Sequence, residues 1–144
     1  NMWWTAKDRV AFDTRADKLV AQAGEFEALP GLKLNGRVSL GENIGDLGGV
    51  TMAYGALDFA LKDRAAAMID GLTPRQRFFH GWAQIWRRSY TDEALKIQVN
   101  VGPHSPGKFR VNGPYANLDG FAEAFGCKAG DAMVRPDATR VQIW

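Results

Sequence analysis

The sequence predicts a mainly α fold with a short hairpin near 32–40. Three observations carry this. Apolar residues recur at helical spacing on both sides of residues 29–38, a capping signature opens a further helical segment at Thr73, and the 29–38 stretch between them breaks the periodicity.

The first helix runs from Thr5 to about Ala23, where Val10, Phe12, Leu19 and Val20 fall among charged residues at helical spacing. Gly24 and the 29–38 stretch end it. Asn35-Gly36 between apolar residues is a tight-turn signal, which predicts the hairpin. From Gly41 a second helix runs to about Arg64. Its residues Ile44, Leu47, Val50, Met52, Tyr54, Leu57 and Phe59 make it apolar on nearly every face, as expected of a buried helix. Glu42, Asp46 and Asp58 on it then need partners, because an unpaired buried carboxylate is costly.

Thr73-Pro74-Arg75-Gln76 combines an N-cap threonine, a first-turn proline and a glutamine placed to close a capping box, so a third helix is expected over 74–88. Phe78, Phe79, Trp82, Ile85 and Trp86 form its core-facing stripe. Thr91-Asp92-Glu93 caps a fourth helix, with acids at the positive end of its dipole. Residues 101–114 hold Gly102, Pro103, Pro106, Gly107, Gly113 and Pro114, and read as an irregular loop. A last helix spans 117–125 and closes at Gly126. One mostly helical unit results.

The 144 residues are 46% hydrophobic and 24% charged, the range of one globular domain. The formal net charge of +2, with signs interleaved, offers no basic stripe for nucleic acid. No apolar run reaches the ~18 to 20 residues of a membrane helix, and no signal-peptide pattern is present. The start at Asn1-Met2-Trp3-Trp4, inside an apolar cluster, reads as a cut. Cys127, the single cysteine, excludes an internal disulfide and reads as a half-buried hydrophobe.

Glu42 and Asp46 lie four residues apart, which places both carboxylates on one helix face a turn apart. Two acids there repel unless a cation stands beside them. Zinc on Glu42 and a histidine ring N–H on Asp46 would answer this; a helix-dipole role for Glu42 and a surface ion pair for Asp46 would too. Spacing alone favours the second.

The stretch Asn35-Gly36-Arg37-Val38-Ser39-Leu40-Gly41-Glu42-Asn43-Ile44-Gly45-Asp46-Leu47-Gly48-Gly49 resembles the third-ligand motif NGxxTLGENIADxGG of the neprilysin and endothelin-converting-enzyme family of zinc metallopeptidases. Trp3-Trp4-Thr5 resembles the family's WWT. Phe78-Phe79-His80-Gly81-Trp82-Ala83-Gln84-Ile85-Trp86 resembles its FFxxxAQxW helix, and His104-Ser105-Pro106-Gly107-Lys108-Phe109-Arg110-Val111 its HSPxxFRV segment. The chain also ends in Trp144, as family members do. Nearly the whole chain is covered, in family order.

The resemblance implies the C-terminal helical part, residues 1–144, of a thermolysin-like catalytic domain that hydrolyses oligopeptides on the amino side of hydrophobic residues. By position it makes Glu42 the zinc ligand and Asp46 the carboxylate behind a ligating histidine. His104 becomes the donor to the oxyanion and Arg110 the holder of a substrate carbonyl. Trp86 becomes a wall of the pocket for the residue after the scissile bond. His80 falls at a variable position and carries no role. The Zn2+ site would need two histidines and a glutamate from an upstream HExxH, which this sequence does not contain. The isolated chain is therefore expected to bind zinc weakly and to lack activity. The missing N-terminal part of the same protein is its implied partner, and apolar surface left bare would favour self-association. A noncatalytic helical module that has lost the HExxH half is the competing reading. Val141 and Lys18 stand where vertebrate members pair two cysteines, which points to a bacterial homologue, and Cys127 matches a family cysteine whose partner would lie outside the chain.

Overall fold

The computed structural model describes residues 3–62, 64 and 67–143. Asn1, Met2 and the terminal Trp144 lie outside them. Helix α1 (Ala6–Glu25) leads into strands β1 (Glu27–Leu29) and β2 (Leu32–Lys33), followed by α2 (Leu40–Leu61), α3 (Pro74–Ile85), α4 (Asp92–Val101), α5 (Gly107–Tyr115) and α6 (Asp119–Phe125). The fold is mainly α, as the periodicity predicts.

The helix starts follow their caps. Thr5 accepts from the Asp8 N–H, Thr91 from Ala94, and the Thr73–Gln76 box is closed in both directions. The hairpin is present, but its strands pair Glu27 with Lys33 and Leu29 with Leu32, so its turn is Pro30-Gly31. Asn35-Gly36 makes a different turn. Asn35 Oδ1 accepts from the Arg37 N–H at 3.1 Å, folding the chain into the start of α2. Gly36 is needed there because a Cβ would stand 2.4 Å from the Val20 carbonyl oxygen of α1.

Residues 101–114 are not a loop throughout: α5 occupies 107–115. Pro106 is its N-cap, and Pro114 sits in its last turn. Pro114 has no N–H for the Arg110 carbonyl, and that carbonyl instead accepts from the Trp82 indole at 3.1 Å. Gly107 opens the helix against α3, where a Cβ would meet the Trp86 carbonyl oxygen at 2.5 Å.

The core forms in three patches, two of them built on α2. Leu19 and Leu47 pack on Val141 and Ile143 of the C-terminal segment; Ala23 and Leu34 meet Val99 and Phe109; Val50 joins Phe79 and Tyr115. Val141 is thus an apolar core residue packed with Leu19 and Leu47. A buried amide network ties the ends together. Asn117 accepts from the Val141 N–H at 2.8 Å and donates to Gln22 at 2.8 Å, while Gln22 donates to the Gly113 carbonyl at 2.8 Å. Cys127 is a free, half-buried thiol.

Two burial expectations are corrected. Helix α2 is buried along one stripe only, Asn43, Asp46, Leu47, Gly48 and Val50, while Met52 is 65% and Phe59 82% exposed. One apolar face meets this chain's core; the opposite face has no covering element among the described residues. Ile85 is 64% exposed, because it lies about 120° round the helix from the buried Phe79, at the edge of the stripe.

Candidate active site

Four elements bring the expected residues together. The first two turns of α2 carry Glu42 and Asp46, α5 carries Arg110, the turn before α5 carries His104, and Trp86 is the C-cap of α3. Each is placed by something local. Gly107 lets α5 approach Trp86, and the Pro106 carbonyl accepts from the Arg110 N–H at 3.1 Å in the first turn of α5.

Arg110 is the centre of the cluster. Its Nε donates to Asp46 Oδ2 at 2.5 Å and its Nη2 to Asp46 Oδ1 at 2.7 Å, a two-bond fork between side chains 13% and 7% exposed. The Nη2 also reaches Glu42 Oε2 at 3.4 Å. The guanidinium lies face-on to Trp86, 3.8 Å from its ring centroid. Hydrogen bonding to Asp46 holds the Arg110 pKa above its already high value, against burial, which pulls it down. The cation that the paired carboxylates call for is therefore present within the chain. Asp46 makes a buried ion pair, and Asp58, the third acid of α2, meets Arg75 at 2.8 Å.

His104 Nδ1 lies 3.2 Å from Glu42 Oε2. The Glu42 side chain is half-exposed, and its Oε1 takes no hydrogen bond among the described residues. Behind His104 stands a set of polar residues whose roles the sequence motifs do not reveal. Gln98 Nε2 donates to the carbonyls of His104 and Ser105 at 3.3 Å each. Ser105 Oγ donates to Asn43 Oδ1 at 2.9 Å, and Asn43 Nδ2 to Ser39 Oγ at 3.0 Å. Ser39, Asn43 and Ser105 are all buried. Their only sequence signal is that each lies inside a stretch that also carries a candidate site residue.

A cavity of about 410 Å³ opens between Trp86, Tyr90, His104 and Arg110. The Trp86 indole N–H is buried without a partner among the described residues. His80 lies apart from this cluster, exposed and edge-on to Phe125.

Glu42 offers a carboxylate oxygen of the kind zinc takes, but a catalytic site needs three protein ligands. No group of three or more His, Cys, Asp or Glu side chains gathers to hold a metal among the described residues. The residues present fit one corner of a zinc site and not a whole one. No helix among the described residues is long and apolar enough to cross a membrane.

Comparison with known proteins identifies the family of the chain. The family model described as Peptidase family M13 matches residues 1–141. The chain is 39% identical to Neprilysin-3 of Drosophila melanogaster over 148 aligned positions, covering 100% of the chain and 18% of that protein. It is 34% identical to the Neutral endopeptidase of Lactococcus lactis, again over 100% of the chain and 21% of that protein. The crystal structure of Mycobacterium tuberculosis zinc metalloprotease ZMP1 in complex with inhibitor superposes with a TM-score of 0.93 at 39% identity, covering 100% of the chain and 23% of that structure. The chain thus spans about a fifth of the length of the curated relatives it matches. Both the sequence and the fold place it in one family: the chain belongs to Peptidase family M13, with the neprilysins and endothelin-converting enzymes.

Proposed function

We propose that residues 1–144 are the C-terminal portion of the catalytic domain of a zinc metalloendopeptidase, which hydrolyses oligopeptides on the amino side of hydrophobic residues. The observation that carries this is the convergence of Glu42, Asp46, His104 and Arg110 beside one cavity walled by Trp86. Glu42 is one zinc ligand. The other two are histidines of an HExxH segment in the upstream part of the same protein. When bound, zinc supplies the Lewis acidity and the activated water of such a hydrolysis.

The chain's own residues bind and orient the peptide. Asp46 has a double task, because a carboxylate has about four lone-pair sites. Two of them hold the Arg110 fork, and another is open to the ring N–H of a ligating histidine, which fixes its tautomer. Arg110 has five N–H donors. Nε and Nη2 are engaged by Asp46 and Glu42, which leaves Nη1 to grip a substrate backbone carbonyl. Stacking on Trp86 keeps that donor pair in one plane. Glu42 holds His104 at Nδ1, so only as the imidazolium, with both ring nitrogens carrying a proton, does the free Nε2 edge donate to the oxyanion of the tetrahedral intermediate. The Trp86 ring excludes water from the hydrophobic side chain that follows the cleaved bond.

The experiment is zinc titration with a fluorogenic peptide assay, run on the isolated chain and on the protein that includes its upstream part. Turnover with one tightly bound zinc is expected only when the upstream part is present. Tight, stoichiometric zinc binding with turnover by residues 1–144 alone would contradict the assignment. An upstream sequence without HExxH would leave a noncatalytic helical module in its place.

A further inference from the structure

His104 is presented by a segment that cannot hold it unaided. Gly102-Pro103-His104-Ser105 lead from α4 towards α5, and the His104 side chain is half-exposed. Gly102 closes α4 by donating its N–H to the Gln98 carbonyl at 2.9 Å, where a Cβ would stand 2.6 Å from that same oxygen. Pro103 has no N–H to give, and the His104 and Ser105 N–H groups donate to no backbone carbonyl among the described residues. An exposed connection without such bonds keeps much conformational freedom. A donor aimed at an oxyanion needs one fixed position.

Two side-chain clamps take over. From α4, Gln98 folds over the turn, and its Nε2 donates to the carbonyls of His104 and Ser105 at 3.3 Å each, one for each N–H of the amide. From α2, Asn43 Oδ1 accepts from Ser105 Oγ at 2.9 Å, while Asn43 Nδ2 is tied to Ser39. Asn43 follows Glu42 in the chain and Ser105 follows His104, so α2 and the turn are joined by two adjacent rungs, Asn43–Ser105 and Glu42–His104. The first rung is buried and the second half-exposed. Water competes with the outer rung and not with the inner one. Among the described residues, only Gln98 bonds to the His104 backbone itself.

From this we infer that Gln98 is a positioning residue for His104: its amide clamps the turn by two carbonyls and, with the Asn43–Ser105 rung, holds the imidazole beside Glu42 at the edge of the cavity. The inference rests on the role proposed for His104 at the oxyanion. Gln98 acts through His104 and takes no direct part in bond cleavage. Gln98 also lines the cavity, so a direct grip on the peptide is the alternative that kinetics must separate. Positioning of an oxyanion donor shows in kcat, whereas a grip on the bound peptide that is equal in ground and transition state shows in KM.

The test uses the zinc-loaded protein with its upstream part. Wild type is compared with Gln98→Met, which keeps the side-chain length without the donors, with Gln98→Lys, which restores a donor, with His104→Ala, and with Gln98→Met and His104→Ala combined. kcat, KM and bound zinc are measured on a fluorogenic peptide, and wild type and Gln98→Met are crystallised. Gln98→Met is expected to lower kcat by about ten- to a hundredfold, with KM within about twofold and bound zinc unchanged. Gln98→Lys should recover part of the loss. In the His104→Ala background the same change should lower kcat by less than about twofold, because the residue through which Gln98 acts is gone. The crystal structure of Gln98→Met should show His104 displaced from Glu42 or spread over several rotamers. An equal loss in both backgrounds, a change in KM alone, or a His104 left in its wild-type place overturns the inference. A wild type without peptide turnover refutes the peptidase reading; displacement of His104 in Gln98→Met would then still uphold the clamp, and an unmoved His104 would refute both.

Discussion

Asp46 is a carboxylate buried on an apolar helix, and the Arg110 fork is its charge partner there. Removing one member strands the other, at a cost of about 3 kcal/mol or more for a buried pair. Asp46→Ala should therefore lower stability by about that amount in denaturant melts, and Asp46→Leu with Arg110→Met should cost less than the two single changes summed. Additive losses would show that the pair does not act as a unit. Asn43 and Ser105 are tied to each other and carry the turn that presents His104. Ser105→Ala should cost about 1 to 3 kcal/mol by leaving Asn43 Oδ1 unpaired, and should lower kcat more than it raises KM if the His104 turn shifts. Tyr115 offers a test in pH. Its hydroxyl donates to the Phe79 carbonyl in the core, and burial raises its pKa above the tyrosine range; Tyr54 moves the same way, also by burial. A raised folded-state pKa stabilises fully below the unfolded value of about 10 and is lost as pH rises beyond it. Urea stability should hold up to about pH 10 and then fall, with tyrosinate absorbance from Tyr115 appearing only as the fold is lost. Normal titration of all three tyrosines in an intact fold would contradict this.

The helices differ in how plainly they announce themselves. Thr73, Pro74 and Gln76 specify the start of α3 through side chain–backbone bonds made within four residues, and the structure closes that box as expected. Thr73→Ala should cost about 1 kcal/mol, read as a lower thermal midpoint, whereas no change would mean that packing alone fixes the helix start. Local chemistry of this kind is legible from sequence. Helix α5 was not, since its Gly and Pro residues speak for a loop. What stabilises it is remote: the Trp82 indole takes over the carbonyl that Pro114 cannot serve, and Gln22 holds the Gly113 carbonyl from α1. The hairpin shows the same division. Its existence follows from the break in periodicity, but its turn lies at Pro30-Gly31 because Asn35-Gly36 is used to dock on α1. Of the site, Glu42, Asp46, His104, Arg110 and Trp86 were named by motif resemblance, and the structure brings them together. The Arg110–Asp46 fork and the Ser39–Asn43–Ser105 chain were not legible, because each joins residues that only the tertiary fold brings near.

As a molecule, the chain shows an unequal surface. Helix α2 turns Met52 and Phe59 outward, and Ile97 and Val101 of α4 are also exposed. Apolar residues on an otherwise built helix imply a covering partner, which fits a chain that spans about a fifth of its relatives' length. The isolated chain should associate with itself as concentration rises, visible as an earlier-eluting species in size-exclusion chromatography; a concentration-independent monomer would count against it. The described residues gather no metal site of their own, so under the proposed function Glu42 would hold zinc only together with ligands from another part of the protein. The most direct measurement is therefore bound zinc per protein, by atomic emission after dialysis, for residues 1–144 alone, for the protein with its upstream part, and for that protein carrying Glu42→Gln. One zinc in the longer protein, little in the isolated chain and a loss of at least ten-fold in affinity with Glu42→Gln are the expected results. Stoichiometric zinc retained by the Glu42→Gln protein, with peptide turnover intact, would contradict the place of Glu42 in the metal site.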